Sequence, residues 1–220
     1  MSDPNTPSAA ELAALISARV CHDLISPVSA LSAALGVLED PSASDMREDA
    51  MELLRSGIGS AQAKLEFLRL AFGAGGSHPG LLETAELKRL AGAMFSYAKA
   101  ELVWKTEAAG LPKPAAKVLL NLIWMAIDSV PRGGTVTIEA SVSSGARIRI
   151  VAAGTKARLD ESARLALSGA APEDGYSGRS IQPYFTGLLA REAGGRVDAR
   201  AEDERVEYVA LIAAEAEQAA

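Results

Sequence analysis

Cysteine and histidine are scarce in this chain, and their scarcity excludes several kinds of site. Among 220 residues there is one cysteine and there are two histidines. A single cysteine cannot form an internal disulfide, which fits a reducing compartment and predicts a cytoplasmic protein. Zinc sites are built mostly from cysteine and histidine, and no ligand spacing here suggests one. We therefore expect neither a disulfide framework nor a metal centre.

Long runs of basic residues and long runs of apolar residues are missing as well. The net charge is −6 and no stretch of five or more basic residues occurs, so a nucleic-acid partner is not expected. Uninterrupted apolar runs are far shorter than the ~20 residues of a membrane span, and the first residues lack the pattern of a secretory leader. Hydrophobic residues still make up 49% of the chain. That share predicts a soluble globular protein with one domain or two small ones.

The first third of the sequence has the spacing of two long helices. Ser8 and Glu11 form a capping box that opens a helix running to about Glu39, and a second helix runs from about Asp45 to Phe72. The short break between them predicts an antiparallel hairpin. An isolated hairpin leaves much of its apolar surface in water, so we expect a second copy to complete a symmetric four-helix bundle. The chain is thus predicted to be a homodimer.

Pro27 lies inside the first predicted helix. It removes a backbone donor and should kink the helix there. The alternative is that Pro27 ends a shorter helix and that a new helix starts. The apolar spacing continues through Pro27 without a change of phase, which favours one kinked helix.

Helices and strands are mixed in the sequence after a glycine-rich linker at 73–80. Helices are predicted over 83–99, 114–129, 160–167 and 182–193, and strands over 101–105, 135–142, 146–151, 195–200 and 205–213. Helices layered on a mostly antiparallel sheet make this region an α+β sandwich. The predicted domains are the helical hairpin at 8–73 and a second domain at 81–214.

His22 is the residue that most favours a function. On a helical wheel the apolar stripe of the first helix spans roughly 40–160°, whereas His22 falls near 280°. A structural histidine would lie on the stripe, but this one points away from it and can meet another molecule. An exposed imidazole is largely neutral at pH 7 and nucleophilic through one ring nitrogen. Asp23 follows directly and can orient the ring, while His78 in the linker is interpreted as an ordinary exposed residue.

Two motifs resemble those of sensor histidine kinases. Residues 22–27 read HDLISP and resemble the kinase H-box: a phosphoacceptor histidine, an acidic residue beside it and a proline five residues on. Residues 121–134 read NLIWMAIDSVPRGG and resemble the N-box of the kinase ATP-binding domain in length and in the final Pro-x-Gly-Gly. A glycine pair, Gly194 and Gly195, precedes a late strand as it does in the kinases. The resemblance covers roughly residues 10–213.

Three departures from the kinase pattern remove the groups that hold a nucleotide. Met125 stands where the N-box has the asparagine that holds magnesium, and a thioether is a poor ligand for this hard ion. Ala152 stands where the kinases have the aspartate that binds the adenine amino group, and its side chain accepts no hydrogen bond. Pro183, Tyr184 and Phe185 occupy the place of the glycine-rich phosphate loop. Binding of ATP is not expected.

A kinase-like scaffold that keeps its histidine and loses its nucleotide site resembles the ChpT-type histidine phosphotransferases. The resemblance implies a homodimer whose second domain is a degenerate kinase ATP-binding domain. It implies transfer of a phosphoryl group from the receiver domain of a CckA-like hybrid histidine kinase to CtrA-like and CpdR-like response regulators. His22 would be the phosphoacceptor, and Asp23 would orient or polarise it. Mg²⁺ is expected on the partner's receiver domain, with no cofactor on this chain.

Four residues one turn to either side of His22 are expected to border the docking surface: Ala18, Arg19, Ile25 and Ser26.

Three alternative functions stay open. The chain could be a histidine kinase with a divergent ATP site, a phosphatase in which Ser26 positions a hydrolytic water, or a non-catalytic dimeric scaffold in which His22 is incidental. The second domain could widen the receiver interface or only brace the bundle.

Overall fold

A computed structural model describes residues 6–73 and 80–214; the linker residues 74–79, His78 among them, lie outside the described residues. The described residues form helices and strands. In chain order they are α1 (Ala9–Glu39), a 3-10 helix (Pro41–Met46), α2 (Arg47–Phe72), β1 (Leu81–Glu83), α3 (Thr84–Met94), β2 (Ala100–Trp104), β3 (Gly110–Pro112), α4 (Lys113–Asp128), β4 (Gly134–Val142), β5 (Gly145–Ala153), α5 (Glu161–Ser168), α6 (Ile181–Glu192), β6 (Arg196–Glu202) and β7 (Arg205–Ala213).

Helix α1 begins at the predicted capping box. The Ser8 hydroxyl accepts from the Glu11 N–H at 3.2 Å, and the Glu11 carboxylate accepts from the Ser8 N–H at 2.8 Å. The helix is continuous through Pro27, so the alternative of two shorter helices is wrong. It packs along α2 as a hairpin. Gly57 of α2 permits this close approach, because a Cβ there would lie 2.8 Å from Cδ2 of Leu31.

The second part of the chain is built on a five-stranded sheet in the order β2-β4-β5-β7-β6. Strands β2 and β4 run parallel, and the other neighbouring pairs run antiparallel. Helix α4 is buried along most of its length against this sheet. Gly134 has φ +142°, and a Cβ there would lie 2.2 Å from the carbonyl oxygen of Ala153. Gly134, the second glycine of the Pro-x-Gly-Gly segment, therefore serves the turn that leads from α4 into the sheet. The α+β class is confirmed.

Two short strands and one helix end differ from the prediction. Strands β1 and β3 form a separate antiparallel pair, and three residues each are too few to show periodicity. Helix α3 ends at Met94 rather than near Lys99. The chain turns there, and the Phe95 ring packs edge-on against Phe67 and Trp124 at centroid distances of 5.4 and 6.4 Å. A long-range aromatic contact, which leaves no local pattern, accompanies this helix end.

The hairpin and the sheet region share a core. Phe67, Leu68 and Ala71 near the end of α2 belong to the same buried cluster as α4 and the sheet. The start of α1 packs on Ile181 and Tyr184 of α6. The division into domains at 8–73 and 81–214 stays a prediction. These contacts hold the helix that carries the histidine against the second region.

Helix α1 is long and apolar enough, by length and composition, to cross a membrane. Its uninterrupted apolar runs are short, but the expectation of no candidate membrane span does not hold for its mean hydropathy. Arg19, His22 and Asp23 break its apolar character, and its sides pack on α2 and α6. These contacts make α1 part of the helical hairpin.

Candidate functional site

The imidazole of His22 projects from α1 into solvent, with its side chain 80% exposed. The predicted direction of this residue, away from the packed side of the helix, is confirmed. Its Nδ1 lies 3.2 Å from Oδ1 of Asp23. An ionised carboxylate only accepts hydrogen bonds, so this contact favours the tautomer with the proton on Nδ1 and the lone pair on Nε2. The site thus presents a nucleophilic nitrogen on an accessible ring.

Asp23 is held at both its side chain and its backbone. The side chain is 16% exposed, and its Oδ2 accepts from Nε of Arg19 at 2.8 Å. The backbone carbonyl accepts from Nζ of Lys64 in α2 at 2.9 Å. In an α-helix this carbonyl would accept from the N–H four residues on, but that residue is Pro27, which has no N–H. Lys64 therefore takes the place of the missing helical hydrogen bond.

Arg19 is turned toward the second region of the chain. Its guanidinium carbon lies 4.6 Å from the centroid of the Trp124 ring, and its Nη1 donates to the carbonyl of Gly178 at 3.2 Å. Its side chain is 16% exposed. The sequence grouped Arg19 with the docking residues, but its guanidinium is engaged within the chain.

The other three predicted docking residues are exposed beside His22. Ile25 is 64% exposed, which is unusual for a large apolar residue. We call the surface formed by these three residues and His22 the histidine face; it consists of Ala18, His22, Ile25 and Ser26. On a helical wheel with Val28 at zero, the residues of the histidine face fall between roughly 60° and 160°. Docking of a partner on this face stays a prediction.

Asp128, at the end of α4, is an acidic residue near the site that sequence reasoning did not single out. Protein atoms crowd its carboxyl and raise its pKa to about 6; the charge of Arg19 opposes this rise and the charge of Asp23 adds to it. The residue as a whole is nonetheless exposed to solvent, so water screens part of this effect. Arg19 thus lies in the field of two carboxylates, one on α1 and one on α4.

The positions that depart from the kinase pattern are occupied by packed side chains. Met125 and Ala152 are buried in the main core. Helix α6 already begins at Ile181, so Pro183 and Tyr184 lie within a helix, both of them buried. Tyr184 packs on the start of α1. A helix packed in this way does not offer the glycine-rich backbone that cradles phosphates.

Asn121, the first residue of the N-box-like segment, is fully buried and has structural partners. Its Nδ2 donates to the carbonyl of Ala71 in α2 at 3.1 Å, and its Oδ1 accepts from Nε2 of Gln182 in α6 at 3.2 Å. The asparagine therefore ties α2, α4 and α6 together.

Comparisons with known proteins identify the family of this chain. The family model described as histidine phosphotransferase C-terminal domain matches residues 84–205. The chain is 38% identical to protein phosphotransferase ChpT of Brucella abortus (strain 2308), over 96% of this chain and 100% of that relative. It belongs to the histidine phosphotransferase family.

The phosphotransferase is also similar to a solved structure, that of a bacterial phosphotransferase at 1.7 Å. The TM-score is 0.83 at 37% identity, covering 95% of this chain and 100% of that one. A catalytic-domain structure of the histidine kinase ThkA aligns with a TM-score of 0.47 at 16% identity, over 62% of this chain and 95% of that one. A similarity that low does not by itself establish a shared fold.

Family membership identifies the reaction class. The phosphotransferase acts in a phosphorelay that links a kinase to response regulators, as the motifs predicted. The kinase alternative lacks support. The match covers the whole length of the relative, and that relative is named a protein phosphotransferase.

Proposed function

We propose that Nε2 of His22 is the phosphoacceptor and that Asp23 orients the ring and stabilises its charge during transfer. The observation that carries the proposal is an 80% exposed imidazole with its Nδ1 on a firmly held carboxylate, in a histidine phosphotransferase. The chain has only one other histidine, His78 in the linker.

The transfer step joins Nε2 of His22 to the phosphorus of an aspartyl phosphate on a receiver domain. The P–N bond forms as the P–O bond breaks, and the receiver aspartate leaves as a carboxylate. The ring gains positive charge, which Nδ1–H shares with Asp23 through their hydrogen bond. The reverse step delivers the phosphoryl group to the aspartate of the next receiver. Because the transition state of phosphoryl transfer is loose, positioning and charge neutralisation dominate the catalysis. Mg²⁺ is expected on the receiver.

The receiver docks on the histidine face. Ala18, Ile25 and Ser26 surround the imidazole with a small, partly apolar surface, which suits helix-mediated docking. Arg19 lies behind this surface rather than on it, because its guanidinium contacts Trp124 and Gly178.

A second exposed apolar surface of the hairpin packs against a second copy of the chain. Its residues recur every seven positions on each helix and are between 38% and 52% exposed, a heptad spacing that belongs to helix bundles. On α1 this stripe lies roughly 120° from His22, so a four-helix bundle leaves the imidazole accessible. This surface, called the dimer face below, consists of Val28, Leu35, Met51, Ile58 and Leu65.

The partners we propose are the receiver domain of a CckA-like hybrid histidine kinase as donor and CtrA-like and CpdR-like response regulators as acceptors. The support is the H-box-like segment together with membership of the histidine phosphotransferase family. The proposed relay is cytoplasmic. This chain uses no ATP, because side chains fill the positions that bind the nucleotide in kinases.

Transfer assays test this proposal. Purified protein is incubated with a phosphorylated receiver domain and, separately, with labelled ATP, using wild type, His22→Ala and Ser26→Ala. We expect label on wild type from the receiver, none from ATP, and loss of both label and onward transfer in His22→Ala. Label from ATP would support a kinase. Receiver dephosphorylation without phosphohistidine, lost in Ser26→Ala, would support a phosphatase. Receiver binding without any change in its phosphorylation would support a scaffold.

A further inference from the structure

Arg19 connects the reactive turn of α1 with two separate elements of the second region. Its Nε donates to Oδ2 of Asp23 at 2.8 Å, and its Nη1 donates to the carbonyl of Gly178 at 3.2 Å. The face of the guanidinium lies over the Trp124 ring at 4.6 Å. A planar fork can make these three contacts at once because each uses a different edge or face of the group. A lysine ammonium cannot.

Both partners of Arg19 in the second region lie among contacts of their own. Trp124 is 5% exposed and meets the rings of Phe67 and Phe72 at centroid distances of 6.0 and 6.2 Å. The carbonyl of Gly178 lies in a turn in which the N–H of Ser177 donates to Oγ of Ser180 at 2.8 Å. Arg19 is therefore anchored to a buried core residue, Trp124, and to the backbone of the turn that precedes α6.

We propose that Arg19 is a positioning residue for phosphotransfer, and that the second region serves the reaction by holding it. Trp124 and Gly178 fix the guanidinium, the guanidinium fixes Oδ2 of Asp23, and Oδ1 of Asp23 then holds Nδ1–H of His22. This chain of contacts selects the tautomer in which Nε2 is the free nucleophile. The inference rests on His22 being the phosphoacceptor, and it assigns a catalytic purpose to a region that has lost its nucleotide site.

The test separates positioning from docking and from folding. Histidine labelled with ¹⁵N reports the tautomer of His22 in the free protein, and His78→Ala removes the signals of the other histidine. Single-turnover transfer from a phosphorylated receiver gives the rate, and calorimetry gives the receiver affinity. The variants are Arg19→Gln, which removes the charge, and Arg19→Lys, which keeps the charge without the fork. The matched control is Arg196→Gln on β6, where the arginine pairs with Asp198 at 3.3 Å in an exposed position.

We expect wild type and Arg196→Gln to carry the proton on Nδ1 of His22 and to transfer at the same rate. Arg19→Gln should give a mixture of tautomers and a rate lower by about ten- to a hundredfold, with receiver affinity unchanged within about twofold. Arg19→Lys should recover part of the rate. An unchanged tautomer and rate in Arg19→Gln would overturn the proposal. A rate that falls only as receiver affinity falls would assign Arg19 to docking instead.

The contribution of the second region is tested at Trp124. Trp124→Phe keeps an aromatic core residue and weakens the contact with the cation, so a tautomer shift between those of wild type and Arg19→Gln is expected. No shift in a folded Trp124→Phe would remove the Trp124 contact from the proposal and leave the Gly178 carbonyl to hold Arg19. The failure of the two proposals is distinguishable. If wild type forms no phosphohistidine, His22 is not the phosphoacceptor, whereas the tautomer of the free protein still decides whether Arg19 orients the ring.

Discussion

Replacing Lys64 with methionine removes the donor that satisfies the Asp23 carbonyl beside Pro27. Methionine keeps an unbranched apolar stem about as long as that of lysine without its ammonium group, so the change isolates that group. The lost contact is a 2.9 Å hydrogen bond from a charged donor in a partly buried position. Such a bond is worth about 1.5–3 kcal/mol, and leaving its acceptor unpaired costs a similar amount. We therefore expect the free energy of unfolding to fall by about 2 kcal/mol.

The decisive comparison repeats this substitution in a Pro27→Ala background. Alanine at position 27 restores an N–H that can donate to the Asp23 carbonyl, so Lys64 is no longer the only donor available to it. Pro27 is buried, so Pro27→Ala has its own effect on stability, which the double-mutant cycle cancels. In this background Lys64→Met should cost at least about 1 kcal/mol less than in wild type.

Urea unfolding at a fixed protein concentration measures all four members of the cycle, because the stability of the proposed dimer would depend on concentration. Arg69→Met, which removes an exposed cation from the same helix, is the control and should change stability by less than about 0.5 kcal/mol. If Lys64→Met costs the same in both backgrounds, the lysine does not replace the missing helical hydrogen bond and the reasoning is refuted.

Three further predictions concern the dimer, a titrating group and a buried hydroxyl. Ile58→Glu on the dimer face should make the protein monomeric in sedimentation experiments, whereas Leu53→Glu, similarly exposed on another side of α2, should not; a dimeric Ile58→Glu would contradict the dimer face. Asp128→Asn should stabilise the protein at pH 7 by about 1 kcal/mol once solvent screening is allowed for, because a carboxyl whose pKa is raised to about 6 is ionised there at a cost. The folded state binds the extra proton between about pH 4 and 6, so wild-type stability should fall as pH rises through that window, and an advantage of the variant that persists below pH 4 would refute this. Tyr208→Phe removes a buried hydroxyl that lies 2.8 Å from Oγ of Ser129 and should cost about 1 kcal/mol in urea unfolding, with no measurable loss as the contrary result.

Features that depend on neighbours in the sequence could be predicted from the sequence alone. The capping box of α1 depends on two residues three positions apart, Ser8 and Glu11, and helical periodicity depends on spacings of three and four. Alternation of apolar and polar residues likewise marked β4 and β5. The exposure of His22 followed from helix geometry, because the packed stripe of α1 determines which side of the helix is free.

How the residues beside His22 are held was decided by the tertiary structure. Lys64 is 41 residues from Asp23, and Gly178 is 159 residues from Arg19, so neither contact leaves a local pattern in the sequence. Spacing alone grouped Arg19 with the exposed docking residues, since it lies one turn from His22. Its actual direction depends on what α4 and the turn before α6 offer, an aromatic face and a free carbonyl. A guanidinium can leave water only where such partners replace its hydration, and only the folded chain brings them to it.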